Sequence, residues 1–169
     1  MPYRLETKLF VPAPLPDVFR FFADARNLET ITPPFLRFKV LTPAVTMRKG
    51  ARIDYRLRLR GLPLRWQSEI TAWEPNVRFK DEQRRGPYRY WRHVHLFRQD
   101  AGGTLVEDGV EYEVACGSLL HQWLVAPELM RIFRYRQDAL ARVFGEDPRQ
   151  PGKVAILKLL MNGSGRRRA

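Results

Sequence analysis

The feature that most constrains the fold of this chain is a change of hydrophobic period. Between Arg52 and Val114, apolar and polar residues alternate in a series of short segments, whereas after Gly117 the apolar residues recur every three to four positions. Alternation indicates strands with one buried face, and the longer period indicates an amphipathic helix. The sequence therefore predicts an antiparallel sheet followed by one long helix, which must bury its apolar stripe against the sheet.

Residues 52–60 form the clearest predicted strand, because apolar side chains face one way and four arginines and an aspartate face the other. Segments rich in Gly, Pro or Asn indicate turns, since these residues favour turn conformations. The turns are predicted at 61–63, 75–76, 86–87 and 101–103, and the strands between them at 64–71, 77–83, 88–98 and 104–114. This order is typical of a meandering antiparallel sheet.

The remaining segments complete an α+β fold. A strand is predicted at 3–10, short helices at 17–23 and 25–30, further β-type sequence at 35–41, a long helix from 127 to 145 and a short helical piece at 153–161. The predicted stripe of the long helix consists of Leu129, Ile132, Phe133, Leu140, Val143 and Phe144. We expect a curved antiparallel sheet of six or seven strands wrapped around this C-terminal helix, in a domain spanning 1–145. Residues 146–169 are expected to form a basic, flexible tail.

Length and composition exclude several classes of protein. The 169 residues suffice for one domain, and 44% hydrophobic with 28% charged residues is ordinary for a folded chain. A single cysteine, Cys116, permits no internal disulfide and no thiolate metal site by itself. The first residues do not resemble a signal peptide, and the sequence shows no spanning segment, phosphate loop or dinucleotide-binding motif. We therefore expect a cytoplasmic protein without a cofactor.

The net charge of +12 is typical of proteins that bind polyanions, and 24 of the 30 basic residues are arginine. The excess is spread along the chain, however, and only Arg166–Arg168 forms a run of three. Zinc-finger spacing, basic heptads and the aromatic pattern of an RNA-binding sheet are all missing. We therefore expect no dedicated nucleic-acid site, and at most weak contact between the basic tail and an anionic membrane.

Several segments resemble a known superfamily over about residues 3–145. They are Pro14–Phe19, Gly61–Trp66, Phe79–Gln83, Gly86–Tyr88 followed by Trp91, His93, His95 and Phe97, and Phe133–Arg136. With the order of elements, these segments resemble the START and birch-pollen-allergen superfamily, also called SRPBCC or polyketide cyclase/dehydrase-like proteins, in a bacterial branch of uncharacterised activity. Where such proteins often carry Pro-x-Gly, this chain has Ala115-Cys116-Gly117. The resemblance implies the helix-grip fold with an internal cavity; because the superfamily includes lipid carriers, hormone receptors and cyclases, it implies no single reaction.

Strand parity selects candidate polar residues for that cavity. Trp91, His93, His95 and Phe97 share one face of their strand, and the resemblance favours this face as the inner one. The inner faces of the neighbouring strands would then carry Asp81 with Gln83 and Asp108 with Tyr112. His93 and His95, oriented by Asp108 or Asp81, could act as general acid and base, could hold a metal together with a carboxylate, or could be ordinary sheet histidines. No metal is expected.

Arg136 is the other unusual candidate, because helical geometry places it within the apolar stripe of the long helix. A buried guanidinium needs a partner, which could be Asp81, Asp108, water reached along the apolar surface, or a ligand acid or carbonyl. The predicted apolar walls of the cavity are Tyr55, Trp66, Trp91, Phe97 and Phe133.

Three functions remain open at this point. The first is a carrier or binding protein for a small hydrophobic molecule such as a lipid, a quinone or a polyketide-like compound. The second is a cyclase or dehydratase that uses His93, His95 and Asp108 for catalysis. The third is a peripheral protein whose basic surface contacts membrane or nucleic acid.

Overall fold

The structure, a computed structural model, describes residues 2–115, 117–145 and 152–159. Eight strands form one antiparallel sheet: β1 (Pro2–Val11), β2 (Lys39–Val40), β3 (Arg52–Leu59), β4 (Leu62–Glu74), β5 (Arg78–Arg85), β6 (Tyr90–Asp100), β7 (Gly103–Glu113) and β8 (Lys153–Lys158). Their order across the sheet is β2-β3-β4-β5-β6-β7-β1-β8. The meander of β3 to β7 is thus continuous, and the first strand closes onto the last strand of the meander.

The helices lie where the sequence predicts them, with one extension. They are α1 (Leu15–Phe22), α2 (Asn27–Thr30), α3 (Ser118–Leu120) and α4 (Ala126–Phe144), with a 3₁₀ turn at Pro34–Leu36 and a π-helical turn at His121–Val125. Because α3, the π-helical turn and α4 follow one another without a break, the helical region begins nine residues before the predicted start at Pro127. Val143, predicted on the buried stripe, is 44% exposed, whereas the neighbouring Phe144 packs against Phe21.

Strand β8 corrects one prediction, because residues 153–158 form a strand and not the predicted helical piece. β8 pairs with β1, and the buried Gln137 of α4 donates from Nε2 to the carbonyl oxygens of Lys8 on β1 and Lys153 on β8. A short apolar run is compatible with either a helix or a strand, so only these tertiary contacts decide its state. The other residues of the predicted tail, 146–151 and 160–169, lie outside the described residues.

The turn between β3 and β4 occupies residues 60 and 61, one residue earlier than predicted. Arg60 and Gly61 both have positive φ, 51° and 83°. This pair of conformations is typical of the two-residue type I′ turn, whose twist matches that of the flanking strands. The tip of this hairpin therefore presents an arginine in a left-handed conformation.

The core lies between the concave face of the sheet and the helices, in two clusters of apolar side chains. One cluster joins α1 and α2 to the middle of the sheet, and the other packs the first half of α4 against β1, β6 and β7. This arrangement confirms the predicted α+β helix-grip fold; the sheet has eight strands where six or seven were predicted, because β8 is added at one edge. No helix within the described parts of the chain is long and apolar enough to cross a membrane.

Candidate functional site

A cavity of about 170 Å³ lies between the concave face of the sheet and helices α1, α2 and α4. Its walls are largely aromatic and aliphatic. The aromatic residues that line it are Phe21, Phe22, Phe38, Tyr55, Trp66, Phe79 and Trp91. Among the polar residues at its surface are Ser68, Asp81, His93, His95 and Arg136. A mostly apolar cavity with a few convergent polar groups is the usual form of a small-molecule site.

The polar groups come from neighbouring strands because of the sheet register. Asp81 of β5 lies directly opposite His93 of β6, and His95 of β6 lies directly opposite Asp108 of β7. Side chains directly opposite each other in an antiparallel pair project from the same face of the sheet. The register therefore assembles two carboxylates and two imidazoles into one cluster, which we call the acid–histidine cluster.

Each carboxylate of the acid–histidine cluster contacts both histidines. Asp81 Oδ2 lies 3.3 Å from His95 Nε2 and 3.7 Å from His93 Nδ1. Asp108 Oδ1 lies 3.1 Å from His93 Nε2 and 2.8 Å from His95 Nδ1, the second contact at an angle poor for a hydrogen bond. The two imidazole rings are 3.8 Å apart between centroids. The histidines are thus held between two acids, with Asp108 beneath them and Asp81 at the cavity surface.

Two hydroxyl groups fix the carboxylates from outside the cluster. Thr7 of β1 donates from Oγ1 to Asp108 Oδ2 at 2.9 Å. Ser68 of β4 donates from Oγ to Asp81 Oδ1 at 3.2 Å, and Ser68 in turn accepts a hydrogen bond from the indole of Trp66. Because strands on both sides of β5–β7 contribute a donor, neither carboxylate is left with unpaired oxygens.

Burial and charge shift the protonation of the two histidines in opposite directions. Burial and the neighbouring His95 lower the pKa of His93 below its ordinary value of 6.5. Burial also disfavours the charged form of His95, but contacts with Asp108 and Asp81 raise the pKa of His95 above that value. Burial opposes ionisation of both acids as well, yet the histidines keep the pKa of Asp81 low and that of Asp108 well below its ordinary 3.8. His95 is thus the histidine that is protonated more readily, and His93 the one that stays neutral.

These opposite shifts predict that stability is greatest near pH 6.5. The raised pKa of His95 contributes stability that is fully present below about 6.5 and is lost as pH rises through its folded-state pKa. The lowered pKa values of His93 and of the buried His121 reduce stability as pH falls below about 6.5, since only the unfolded chain then takes up the protons. Denaturant unfolding between pH 5 and 9 measures this profile. His95→Gln should remove the alkaline decline, whereas His121→Gln should retain it; an unchanged alkaline slope in His95→Gln would contradict the assignment.

Arg136 lines the cavity without an acidic partner among the described residues. Its guanidinium lies 5.4 Å from the ring centroid of Phe133, and its Nη1 atom is buried with no hydrogen-bond acceptor in the described part of the chain. The ion pair with Asp81 or Asp108 considered from the sequence is thus absent among these residues. A buried donor that lacks an acceptor is costly, so this atom is available to an oxygen of a bound molecule.

Other predicted site residues are placed differently. Five of the predicted ligand-binding residues, Tyr55, Trp66, Asp81, Trp91 and Arg136, line the cavity together with His93 and His95. Gln83, Phe97, Tyr112 and Phe133 do not line it, and Asp108 lies beneath the histidines.

Each of the four displaced residues has a local reason. Gln83 bonds the backbone of Tyr88 across the β5–β6 turn. Phe97 packs into the core formed with α1, and the buried Tyr112 contacts His121 Nε2 at 2.9 Å through its hydroxyl. Phe133 fills the space beside His93. All four side chains lie on the predicted face. The position of a residue along its strand or helix, however, decides whether its side chain packs in the core or lines the cavity.

Two groups of residues at the site were not predicted from the sequence. The first comprises Ser68 and Thr7, for which a signal existed because both are polar residues on otherwise apolar strand faces. The second comprises the cavity wall from α1 to the 3₁₀ turn, including Phe22, Ala25 and Ile31. No periodicity links that segment to the sheet, so only the tertiary structure identifies it.

The acid–histidine cluster also offers metal-ligating atoms. Donor atoms of Asp81, His93 and His95 lie within 4.8 Å of one another, and two imidazoles with a carboxylate suit zinc or iron(II). Metal binding requires neutral imidazoles, whereas the two acids favour a protonated His95. The geometry therefore allows a divalent cation, which would have to displace the proton that the two acids favour on His95.

Comparisons with known proteins agree with this architecture. The family model described as polyketide cyclase / dehydrase and lipid transport matches residues 11–141. The comparison with curated proteins gives no significant match. Among solved structures, protein CV1439 from Chromobacterium violaceum has a TM-score of 0.67 at 16% identity, over 85% of this chain and 98% of that one. Protein Ms6760 from Mycobacterium smegmatis has a TM-score of 0.63 at 21% identity, over 83% and 89% of the two chains.

A plant protein has the same fold. Major latex-like protein 151 from Panax ginseng has a TM-score of 0.65 at 10% identity, over 85% of this chain and 98% of that one. At such identities the solved structures establish the fold alone, whereas the family model covers most of the chain. The chain therefore belongs to the polyketide cyclase/dehydrase and lipid transport family, within the START/SRPBCC superfamily.

Proposed function

We propose that this protein is a carrier or binding protein for a small, largely apolar molecule that carries one acidic or carbonyl group. The observation that carries the proposal is the aromatic cavity into which Arg136 presents a buried Nη1 atom without an acceptor among the described residues. Apolar walls favour the body of such a ligand, and the guanidinium favours its oxygen atom. Membership in a family that includes lipid transport supports hydrophobic binding in general.

The size of the cavity favours rings over chains. A volume of about 170 Å³ is close to that of an engineered cavity, roughly 150 Å³, that takes up benzene. One ring or a fused pair would fill most of the space, and a long acyl chain would have to extend beyond it. Among the ligand classes considered, quinones and polyketide-like aromatics therefore fit better than lipids.

Binding of naphthalene derivatives tests this proposal. Naphthalene, 2-naphthol and 1-naphthoate should each quench the fluorescence of Trp66 and Trp91, which line the cavity, and calorimetry should give saturable binding with one site. Ala25→Leu places three additional carbons in the cavity and should weaken all three ligands at least tenfold. Ala23→Leu, on a half-buried residue outside the cavity lining, is the matched control. Equal affinity in wild type and Ala25→Leu would locate the probe elsewhere and reject the proposal.

A second candidate function is an acid–base enzyme of the cyclase or dehydratase kind, favoured by the opposite pKa shifts of His93 and His95. Neighbouring groups whose pKa values are driven apart are suited to act as base and acid. Neutral His93, whose Nδ1 has no hydrogen bond among the described residues, would remove a proton next to a ligand carbonyl. Protonated His95 would return a proton to the leaving hydroxyl, with Asp108 holding both rings. An enzyme would release a changed molecule, whereas a carrier would return its ligand intact.

A further inference from the structure

Leu62 at the start of β4 and three residues of the helical segment before α4 are large apolar side chains exposed outside the cavity. Leu62, Leu119, Leu120 and Trp123 have exposed fractions of 70%, 71%, 48% and 76%. Single exposed apolar residues are common on soluble proteins, but an exposed group that includes a tryptophan indicates an interaction surface. We call these four residues the apolar tip.

The members of the apolar tip lie on adjoining elements. Trp123 follows Leu119 by four positions and Leu120 by three in the helical segment before α4, so its side chain lies on the same helical face as theirs. The β3–β4 turn lies beside this segment, because Arg60 Nη2 donates to the carbonyl oxygen of Leu124 at 3.2 Å. Leu62 follows that arginine by two residues. The apolar tip is therefore a combined surface of the hairpin turn and the helical segment.

Four arginines lie at the same end of the hairpin: Arg60 at the turn, and Arg56, Arg58 and Arg65 on the face of the hairpin opposite to Leu62. Arg56, Arg58, Arg60 and Arg65 are exposed and form no ion pair with the described residues. Nearby acids have other partners, since Glu69 pairs with Arg52 and Arg84, and Asp54 accepts from Gln67.

Two of these arginines lie opposite other positive charges in the sheet. Arg56 lies directly opposite Arg65 in the β3–β4 pairing, and Lys39 lies opposite Arg56 on the other side. Like charges directly opposite each other across a sheet destabilise the pairing. A negatively charged partner would relieve this repulsion.

We propose that this end of the hairpin docks on an anionic lipid bilayer, with the apolar tip on its concave side and the four arginines at the turn and on its convex side. Trp and Leu side chains favour the boundary between lipid headgroups and acyl chains, and arginines bind lipid phosphates. A nucleic acid would match the arginines but would leave the exposed leucines and Trp123 without a role. This surface differs from the basic tail, and it does not depend on the ligand proposed for the cavity.

Co-sedimentation of the full chain with vesicles tests the docking surface. The wild type should bind vesicles of 70% phosphatidylcholine and 30% phosphatidylglycerol and show little binding to pure phosphatidylcholine. Trp123→Ser and the double variant Arg58→Gln with Arg65→Gln should each weaken binding at least tenfold, with folding checked by circular dichroism. Val77→Ser changes an equally apolar, 52% exposed side chain on the β4–β5 turn and should bind like the wild type.

Fluorescence and a tail variant separate the remaining outcomes. Vesicle binding should shift the emission of the exposed Trp123 to shorter wavelength, and this shift should be missing in Trp123→Ser. The triple variant Arg166→Gln, Arg167→Gln, Arg168→Gln should retain most of the binding. The proposal is overturned if this tail variant alone loses binding, if Val77→Ser weakens it as much as Trp123→Ser, or if the protein binds duplex DNA but not anionic vesicles.

Discussion

Replacing Asp108 with alanine is expected to lower the free energy of unfolding by about 3–5 kcal/mol, the cost typical of removing one partner from a buried ion pair. Asp108 is only 6% exposed and contacts His93, His95 and Thr7. Without this carboxylate, the protonated His95 would keep only one acidic neighbour, and the hydroxyl of Thr7 would lose its acceptor. Denaturant unfolding at pH 6.5 measures the loss.

The adjacent residue provides the control for this experiment. Glu107 lies on the same strand but on the outer face, where it pairs with Lys8 and Arg98. Glu107→Ala should change stability by at most about 1 kcal/mol, because exposed ion pairs contribute little. Asp108→Asn, which retains the shape and an acceptor for Thr7, should fall between the two. A loss in Asp108→Ala no larger than that in Glu107→Ala would show that the acid–histidine cluster does not depend on this carboxylate.

Replacing Arg136 with methionine is expected to weaken the binding of 1-naphthoate by about 10- to 100-fold. Hydrogen bonds to charged groups contribute roughly 1.5–3 kcal/mol, and each 1.4 kcal/mol corresponds to a factor of ten in affinity. Naphthalene, which has no oxygen, should bind the variant within about threefold of the wild type, since methionine retains the apolar stem. Calorimetric titration of both ligands measures the difference.

A control variant and a stability measurement complete this test. Arg134→Met removes an exposed arginine two positions away and should leave both affinities unchanged. Thermal unfolding of Arg136→Met should stay close to that of the wild type, because Arg136 has no ion pair with the described residues to lose. If naphthalene and 1-naphthoate weaken equally, or if the variant unfolds readily, Arg136 supports the cavity wall and does not anchor the ligand.

The parts of the structure that could be predicted from sequence are those that local patterns determine. Alternation located β3 to β7. Strand parity, together with the family resemblance that favoured the face of His93 and His95 as the inner one, predicted that Asp81, His93, His95 and Asp108 share one face. The partner of Arg136 could not be predicted in this way. Helical period gives the direction of a side chain around the helix axis, but only the packing of α4 on the sheet sets its distance from either acid.

The same distinction explains the other differences. Strand β8 has a short apolar sequence that fits either element, and its state depends on hydrogen bonds from Gln137 and pairing with β1. Phe133 and Arg136 are neighbours on one helix, yet only Arg136 reaches the cavity, since Phe133 fills the space beside His93. A cavity is defined by the space that side chains leave empty, which no periodicity encodes.

The pairing of β1 with β7 has a consequence for the order in which the protein is made. Thr7 and its partner Asp108 are separated by 101 residues, so β1 leaves the ribosome long before β7. Bringing such distant segments together is entropically costly, and contacts of this kind form slowly. During synthesis, β1 therefore cannot pair with β7 until β7 has been translated. The acid–histidine cluster can be sealed from water only once most of the chain has been translated.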